Sequence, residues 1–255
     1  MLRLISYLAP SIPRGFFEVA ATAMSEGASL DVDLRFDQLI SGPLAGDPNP
    51  FRDGTADVGF VCSPTYHWMR DELTLLPLPV PLDKRADGRP VYFADVIVHA
   101  ASAFTTLADL RGARWAYNDR NSRSGWLSLV DTLAPLAPEE FFKELRHAGS
   151  HLESLRLVRE RAVDAAAIDS NVLVNVLERE PGIAATLRTI ETWGPFPIQP
   201  IVIRNDVPAS IRAAVRTALL RAHEVYGREL RSYGFERFVD ANDWEYHCGS
   251  DEDGP

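Results

Sequence analysis

Short apolar runs in this chain alternate with helix-spaced apolar patterns, which is the signature of an α/β protein. Residues 2–8 read as a buried strand. Residues 15–26 read as a helix with Phe16, Val19, Ala20 and Ala23 on one face, and residues 30–36 alternate polar and apolar as a second strand. That β-α-β opening begins a doubly wound sheet. Residues 43–54, rich in Pro, Gly, Asp and Asn, form a loop. A buried strand at 56–62 then leads into Ser63-Pro64-Thr65-Tyr66, where Ser63 is placed to cap a helix that starts with proline.

Further along, 75–82 and 91–99 are extended apolar segments separated by a polar turn, and a helical turn at 106–112 ends in glycine. A strand at 113–117 follows, then a helix at 125–133 that Pro135 and Pro138 stop, then another short helix at 139–145. Residues 152–161 form a helix with Leu155 and Val158 inward, 163–168 a strand ending in Asp169-Ser170, and 171–179 a helix. A short strand at 189–192 gives way to a stretch, 193–200, interrupted by three prolines, before a last strand at 201–204. A long amphipathic helix runs from 206 to about 230, with Ile211, Val215, Leu219, Ala222 and Tyr226 as its buried stripe. The pattern predicts two doubly wound α/β lobes without an internal repeat. Residues 1–92 and 196–255 make a discontinuous lobe one, and 93–195 make lobe two, inserted. The two crossings, near 90–95 and 193–200, are expected to act as hinges.

Composition adds limits. With 255 residues, 46% of them hydrophobic, the chain can bury a substantial core. A net charge of −10 and the absence of any basic run exclude a nucleic-acid footprint. No segment reaches the length of about 20 apolar residues that spans a bilayer, so no direct membrane insertion is expected. The opening residues, Met1 and then Leu-Arg-Leu-Ile-Ser-Tyr-Leu, are a strand without a leader pattern. That predicts a cytoplasmic protein, or a periplasmic one only if a native leader has been removed. Cys62 and Cys248 make no metal or redox pattern, no cofactor is implied, and the acidic tail at 250–255 is expected to be disordered.

The candidate chemistry sits at residues 118–125, Asn-Asp-Arg-Asn-Ser-Arg-Ser-Gly, between a strand and a helix. The first turn of a helix leaves N–H groups without partners, and its dipole favours negative charge. Ser122 and Ser124 add hydroxyls there, and Gly125 lets the backbone approach a ligand without a Cβ. The same serines also serve as ordinary helix caps, so the stretch alone leaves both roles open. Ser63, Thr65 and Tyr66, beyond the end of a strand, are likewise either cleft residues or a cap and a core tyrosine.

Taken together, Ala56-Asp57-Val58-Gly59-Phe60 with Pro64-Thr65-Tyr66, Leu107-Ala-Asp109-Leu-Arg-Gly112, the 118–125 stretch, Gly149-Ser150-His151, Asp164-Ala-Ala-Ala-Ile168-Asp169-Ser170 and Pro200-Ile-Val-Ile-Arg204 occur in an order that resembles one family. These are the phosphate/phosphite/phosphonate substrate-binding proteins of ABC transporters, the PhnD-like group of the type 2 periplasmic binding fold. The resemblance implies a two-lobed clamp on a small oxyanion. In it Ser122, Ser124 and the N–H groups up to Gly125 hold the oxygens, His151 donates, Asp169 accepts from a protonated oxygen or an amine, and Tyr66 closes from lobe one. Its partners are the ligand and a membrane permease or a signalling protein. Arg123 stands where the family more often has a small residue, and either strengthens phosphate binding or points to solvent.

Other classes remain in view. His147 and His151 have the spacing of a metal pair, but Gly149 and Ser150 interrupt the helix and no third ligand is evident, so no metal site is expected. Serine, His151 and Asp169 supply triad residue types without the Gly-x-Ser-x-Gly elbow, and Asp169 can equally be a plain helix cap. A cytosolic enzyme on the same fold, acting on a small carboxylate or cofactor precursor, is the alternative to a binding or sensing role.

Overall fold

The computed structural model describes residues 1–9, 11–37, 42–241 and 246. Pro10, Cys248 and the acidic tail lie outside the described residues. In chain order the strands are β1 (Leu2–Ser6), β2 (Val32–Phe36), β3 (Val58–Phe60), β4 (Leu73–Leu75), β5 (Leu78–Pro81), β6 (Val91–His99), β7 (Arg114–Tyr117), β8 (Glu144–His147), β9 (Ala165–Asp169), β10 (Leu187–Pro197), β11 (Ile201–Arg204) and β12 (Phe235–Val239). The α-helices are α1 (Arg14–Ala28), α2 (Ser63–Met69), α3 (Ser128–Leu133), α4 (Pro138–Phe141), α5 (His151–Arg159), α6 (Ser170–Arg179), α7 (Pro181–Ala184) and α8 (Ala209–Ser232). They form two compact units, Met1–Val91 with Pro197–Pro255, and Tyr92–Phe196.

The first unit carries a mixed sheet in the order β2-β1-β3-β11-β4. β1 runs parallel to β2 and β3, and β11 antiparallel to β3 and β4. α1 buries Phe16, Phe17, Ala20, Ala23 and Met24, and Phe17 meets the Phe60 ring edge-on at 5.0 Å. β12 pairs with β5 in a separate ribbon and sets Phe235 against Phe16, ring centroids 4.3 Å apart. The apolar spacing did not predict β12, because its two phenylalanines flank Glu236 and Arg237 and gain a core to face only from elements distant in sequence, α8, β5 and Phe16 of α1.

The second unit carries the order β10-β6-β9-β7-β8, with β6 antiparallel to β9 and β7 parallel to both β9 and β8. Its core centres on Trp115, whose ring lies 5.0 Å from Phe142 and 6.3 Å from Trp193. Three expectations change here. The helix expected at 139–145 stops at Phe141, and Glu144–His147 becomes the edge strand β8, whose largely polar, exposed sequence carries no buried period. β10 runs on to Pro197 despite Pro195, because at the sheet edge a strand needs no ladder donor on its outer side. The helix expected at 125–133 starts earlier, with a π-helical turn at Arg123–Leu127 that passes into α3.

Both units pin the start of their central strands with the same ion pair. Arg3 at the beginning of β1 reaches Asp57, the residue before β3, through its backbone N–H, Nε and Nη2, at 2.9, 2.9 and 2.7 Å. Arg114 at the beginning of β7 reaches Asp164, the residue before β9, through the same three donors at 2.8, 3.1 and 2.8 Å. A charged acceptor with three donors is strongly held. Burial opposes ionisation of Asp57, yet the Arg3 hydrogen bonds and charge outweigh it and keep its carboxyl below the usual range. The Arg114 side chain does the same for Asp164.

Candidate functional site

The second unit gathers three turns at the carboxyl ends of β7, β8 and β9. Beyond Tyr117 the chain turns through Asn118–Asn121 and enters the π-helical turn, for which Ser122 is the cap: its Oγ accepts the Gly125 N–H at 3.1 Å. Beyond β8, Gly149 takes φ +79, a left-handed conformation that suits glycine, and Ser150 caps α5 by accepting the Glu153 N–H at 3.0 Å. His151 is therefore the first residue of α5. Beyond β9, Asp169 caps α6, its Oδ1 accepting the Asn171 N–H at 2.8 Å.

The first two turns meet side chain to side chain. Ser124 Oγ lies 3.2 Å from His151 Nε2, and both residues are buried. The His151 Nδ1 is sealed from solvent and meets no side-chain partner among the described residues. Burial pushes the imidazole down to about 4, the Ala167 carbonyl acting in the other direction, so the ring is neutral at physiological pH. The N–H groups of Arg123 and Ser124, at the start of the π-helical turn, are of the kind a helix leaves without internal acceptors, as are those of His151 and Leu152. Ser122 keeps its hydroxyl proton while its oxygen accepts from Gly125. The arrangement concentrates neutral donors at two helix starts.

Arg123 does not join that group. Its Nη1 binds Asp131 at 2.7 Å and its guanidinium stands 4.6 Å over the Phe196 ring. Arg120 is anchored similarly, to Glu139 at 3.0 Å and over Trp126 at 4.5 Å. The two arginines strap the serine turn from either side. Gly125 owes its small size to Asn118: a Cβ there would fall 1.7 Å from Asn118 Oδ1, so the space expected for a ligand's approach is filled by a side chain of the protein itself. Asn118, the residue directly after β7, thus shapes the serine turn, although the serine spacing alone does not single it out.

Asp169 does not reach His151, so the carboxylate that a triad needs at Nδ1 is missing among the described residues. His147 lies exposed on β8 with its ring against Tyr117. In the first unit Ser63 is the opening residue of α2 rather than its cap, a place taken by Cys62, since the chain is already helical before Pro64. Thr65 is fully buried, and Tyr66 packs edge-on against Tyr246 at 5.3 Å within a hydrophobic cluster. A hollow of about 360 Å³ in the same unit lies at the far end of the strands from Ser63, and its arginines, Arg52 and Arg204, are bound to Glu72 and Asp206.

The family of ABC-transporter phosphonate periplasmic substrate-binding proteins has a model that matches residues 48–246. The chain belongs to this family. Members are small-ligand-binding proteins whose partner is a membrane permease, and the family is periplasmic. Among the described residues no helix is long and apolar enough to cross a membrane. The fold is shared with solved structures at low identity. A binding-protein component of an ABC phosphonate transporter from Pseudomonas aeruginosa is 19% identical, with a TM-score of 0.80 over 96% of this chain and 82% of that one. PhnD1 from Prochlorococcus marinus, in complex with methylphosphonate, is 16% identical, with a TM-score of 0.75 over 96% and 94%. A Xanthomonas citri protein bound to ATP is 17% identical, with a TM-score of 0.70 over 96% and 93%. The type 2 periplasmic binding fold and the small-ligand-binding role expected from the motif order are those of this family.

Proposed function

We propose that the chain binds a phosphate- or phosphonate-like oxyanion without chemistry, at the donors gathered around Ser122, Ser124 and His151. The observation that carries this reading is the buried Ser124–His151 pair at two helix starts, from which the guanidinium of Arg123 is held away by Asp131 and Phe196. Neutral dipoles fixed in advance suit an anion that must be bound and then released, because each can donate to it while none forms a permanent ion pair. Ser124 Oγ stands 3.2 Å from His151 Nε2, and His151 acts by orienting that hydroxyl, as donor or acceptor according to its tautomer. Asp169, committed in part as a helix cap, then selects among ligands by accepting from a protonated oxygen or an amine. Ser63, Thr65 and Tyr66, beyond the end of β3, are further candidates for ligand contact in the first unit, all three by their strand-end position and Tyr66 also by the family resemblance. A permease is the partner of this reading, and a signalling protein is the partner if ligand binding is sensed rather than transported.

The test is the melting temperature of the purified protein against phosphate, phosphite, methylphosphonate, 2-aminoethylphosphonate, sulfate and small dicarboxylates. A ligand at a hundredfold excess over its dissociation constant stabilises the native state by about 2.7 kcal/mol. A selective shift with a phosphorus oxyanion supports the proposal. No shift with any of them overturns it, and consumption of a candidate ligand favours an enzyme instead.

A further inference from the structure

The carboxamide of Asn118 is an unusual group to find at this place. Asn118 follows β7 directly and is only 3% exposed, yet its side-chain oxygen has no hydrogen-bond partner among the described residues. Its Oδ1 is sealed from solvent and lies where a Cβ on Gly125 would be, at 1.7 Å from that position, with its Cγ at 2.8 Å. The His151 Cε1 borders the same position at 3.2 Å. An amide oxygen is the end suited to this contact, because a carbonyl lone pair tolerates a Cα–H and an aromatic C–H at close range, whereas an NH₂ group there would set hydrogens against hydrogens.

With the oxygen turned inward, the Nδ2 is turned outward. Only Oδ1 of this side chain is both sealed and unpartnered, so the small remaining exposure of Asn118 leaves its amide nitrogen open to solvent. Such a nitrogen carries two donors and no acceptor. It stands at the carboxyl end of a parallel strand, beside the ring that pairs with Ser124.

We propose that the Asn118 Nδ2 is a further ligand donor of this site, giving a hydrogen bond to a deprotonated oxygen of the bound oxyanion, and that Gly125 is glycine in order to seat the Asn118 amide in that orientation. The assignment rests on the oxyanion reading and adds to it a specificity element. A donor-only group rewards a fully deprotonated oxygen and gives nothing to a ligand hydroxyl's proton, so Asn118 sorts ligands in the sense opposite to Asp169.

The experiment is a calorimetric titration of the full chain, wild type, Asn118→Asp and Asn118→Ala, with methylphosphonate and with inorganic phosphate, beside the melting temperature of each unliganded protein. Asn118→Asp keeps the shape and replaces the donor by a carboxylate. It is expected to weaken binding of both probes by about a hundredfold or more while the unliganded protein melts within a few degrees of wild type. Asn118→Ala is expected to weaken it by about tenfold, and it decides the matter should the aspartate variant not fold. Wild-type affinity in a folded variant overturns the assignment alone and leaves Asn118 as a filler over Gly125. A wild-type chain that binds neither these probes nor any other anion of the melting series overturns the oxyanion reading, and the assignment with it.

Discussion

Ser124 Oγ and His151 Nε2 stand 3.2 Å apart at the starts of two helices that come from different strands of one sheet. The contact couples two turns that are 27 residues apart in the chain. Ser124→Ala removes the hydroxyl and leaves a buried ring nitrogen without a partner, which costs about 1–3 kcal/mol of stability. If the hydroxyl also holds a charged oxygen, the variant loses a further 10- to 100-fold in affinity for the oxyanion, about 1.5–3 kcal/mol. Calorimetry at a temperature where both proteins are folded separates the two losses. An affinity equal to wild type removes Ser124 from the binding site and leaves it a structural partner of His151.

The buried imidazole also sets a pH dependence. Burial lowers His151 from 6.5 to about 4 in the native state, so between those values the unfolded chain holds a proton that the folded one does not. Its contribution is complete above the unfolded value and falls away as the pH drops toward 4, by on the order of 3 kcal/mol in all. Asp57 and Asp164, whose carboxyls are held below 3.8, lose their contributions at more acid pH, as the pH falls from the unfolded value through the depressed native one. Denaturant unfolding at a series of pH values measures the sum, and His151→Gln isolates the imidazole. The expected result is a shallower fall for the variant between pH 6.5 and 4; identical slopes would show that His151 titrates alike in both states.

Much of this fold was readable in the chain because burial and period agreed. The runs at 56–62 and 163–168, each an aspartate followed by small or branched apolar residues, contain fully buried strands, as β3 and β9 are. The motif order likewise reached the family and brought Ser122, Ser124 and His151 into one argument. What stayed hidden depended on contacts distant in sequence. β8 is an exposed edge strand held by its ladder to β7, and β12 gains its apolar partners from α8, β5 and α1, all distant in sequence. Arg123 sits between Ser122 and Ser124, yet its direction is decided by Asp131, eight residues on, and by Phe196 on β10. The identical Arg–Asp clips of the two units were invisible as a repeat, since they share geometry with almost no surrounding sequence.

That placement of Arg123 makes a direct prediction. Its guanidinium is occupied by an exposed carboxylate and an aromatic face, an arrangement worth about 0–1 kcal/mol as an ion pair and about 0.5–1 kcal/mol as a cation–π contact. Arg123→Ala should therefore lower stability by no more than about 2 kcal/mol and leave oxyanion affinity within about threefold of wild type. Because the gathered donors are neutral, affinity should also change little between low and moderate salt. A large loss of affinity in Arg123→Ala, together with a steep salt dependence, would mean that the side chain leaves Asp131 and meets the ligand.

The paired clips offer an internal control on what holds each sheet together. Asp57 takes three donors from Arg3 and Asp164 takes three from Arg114, in both cases joining the first residues of a central strand to the residue before its neighbour. Arg3 is more than a third exposed, and Arg114 nearly so, so solvent takes over part of each arginine's charge when its partner is lost. Asp57→Asn and Asp164→Asn keep the volume but remove the charged acceptor, and each should destabilise the protein by about 1–3 kcal/mol. The two sites belong to different units and share no partner, so their effects should add in the double variant to within about 0.5 kcal/mol if both units unfold in one transition. Two separated melting transitions, with each substitution moving only one of them, would instead show that the units unfold independently. In that case Asp164→Asn lowers only the transition that oxyanion titration raises, because Ser124, His151 and Asp164 all lie in the second unit.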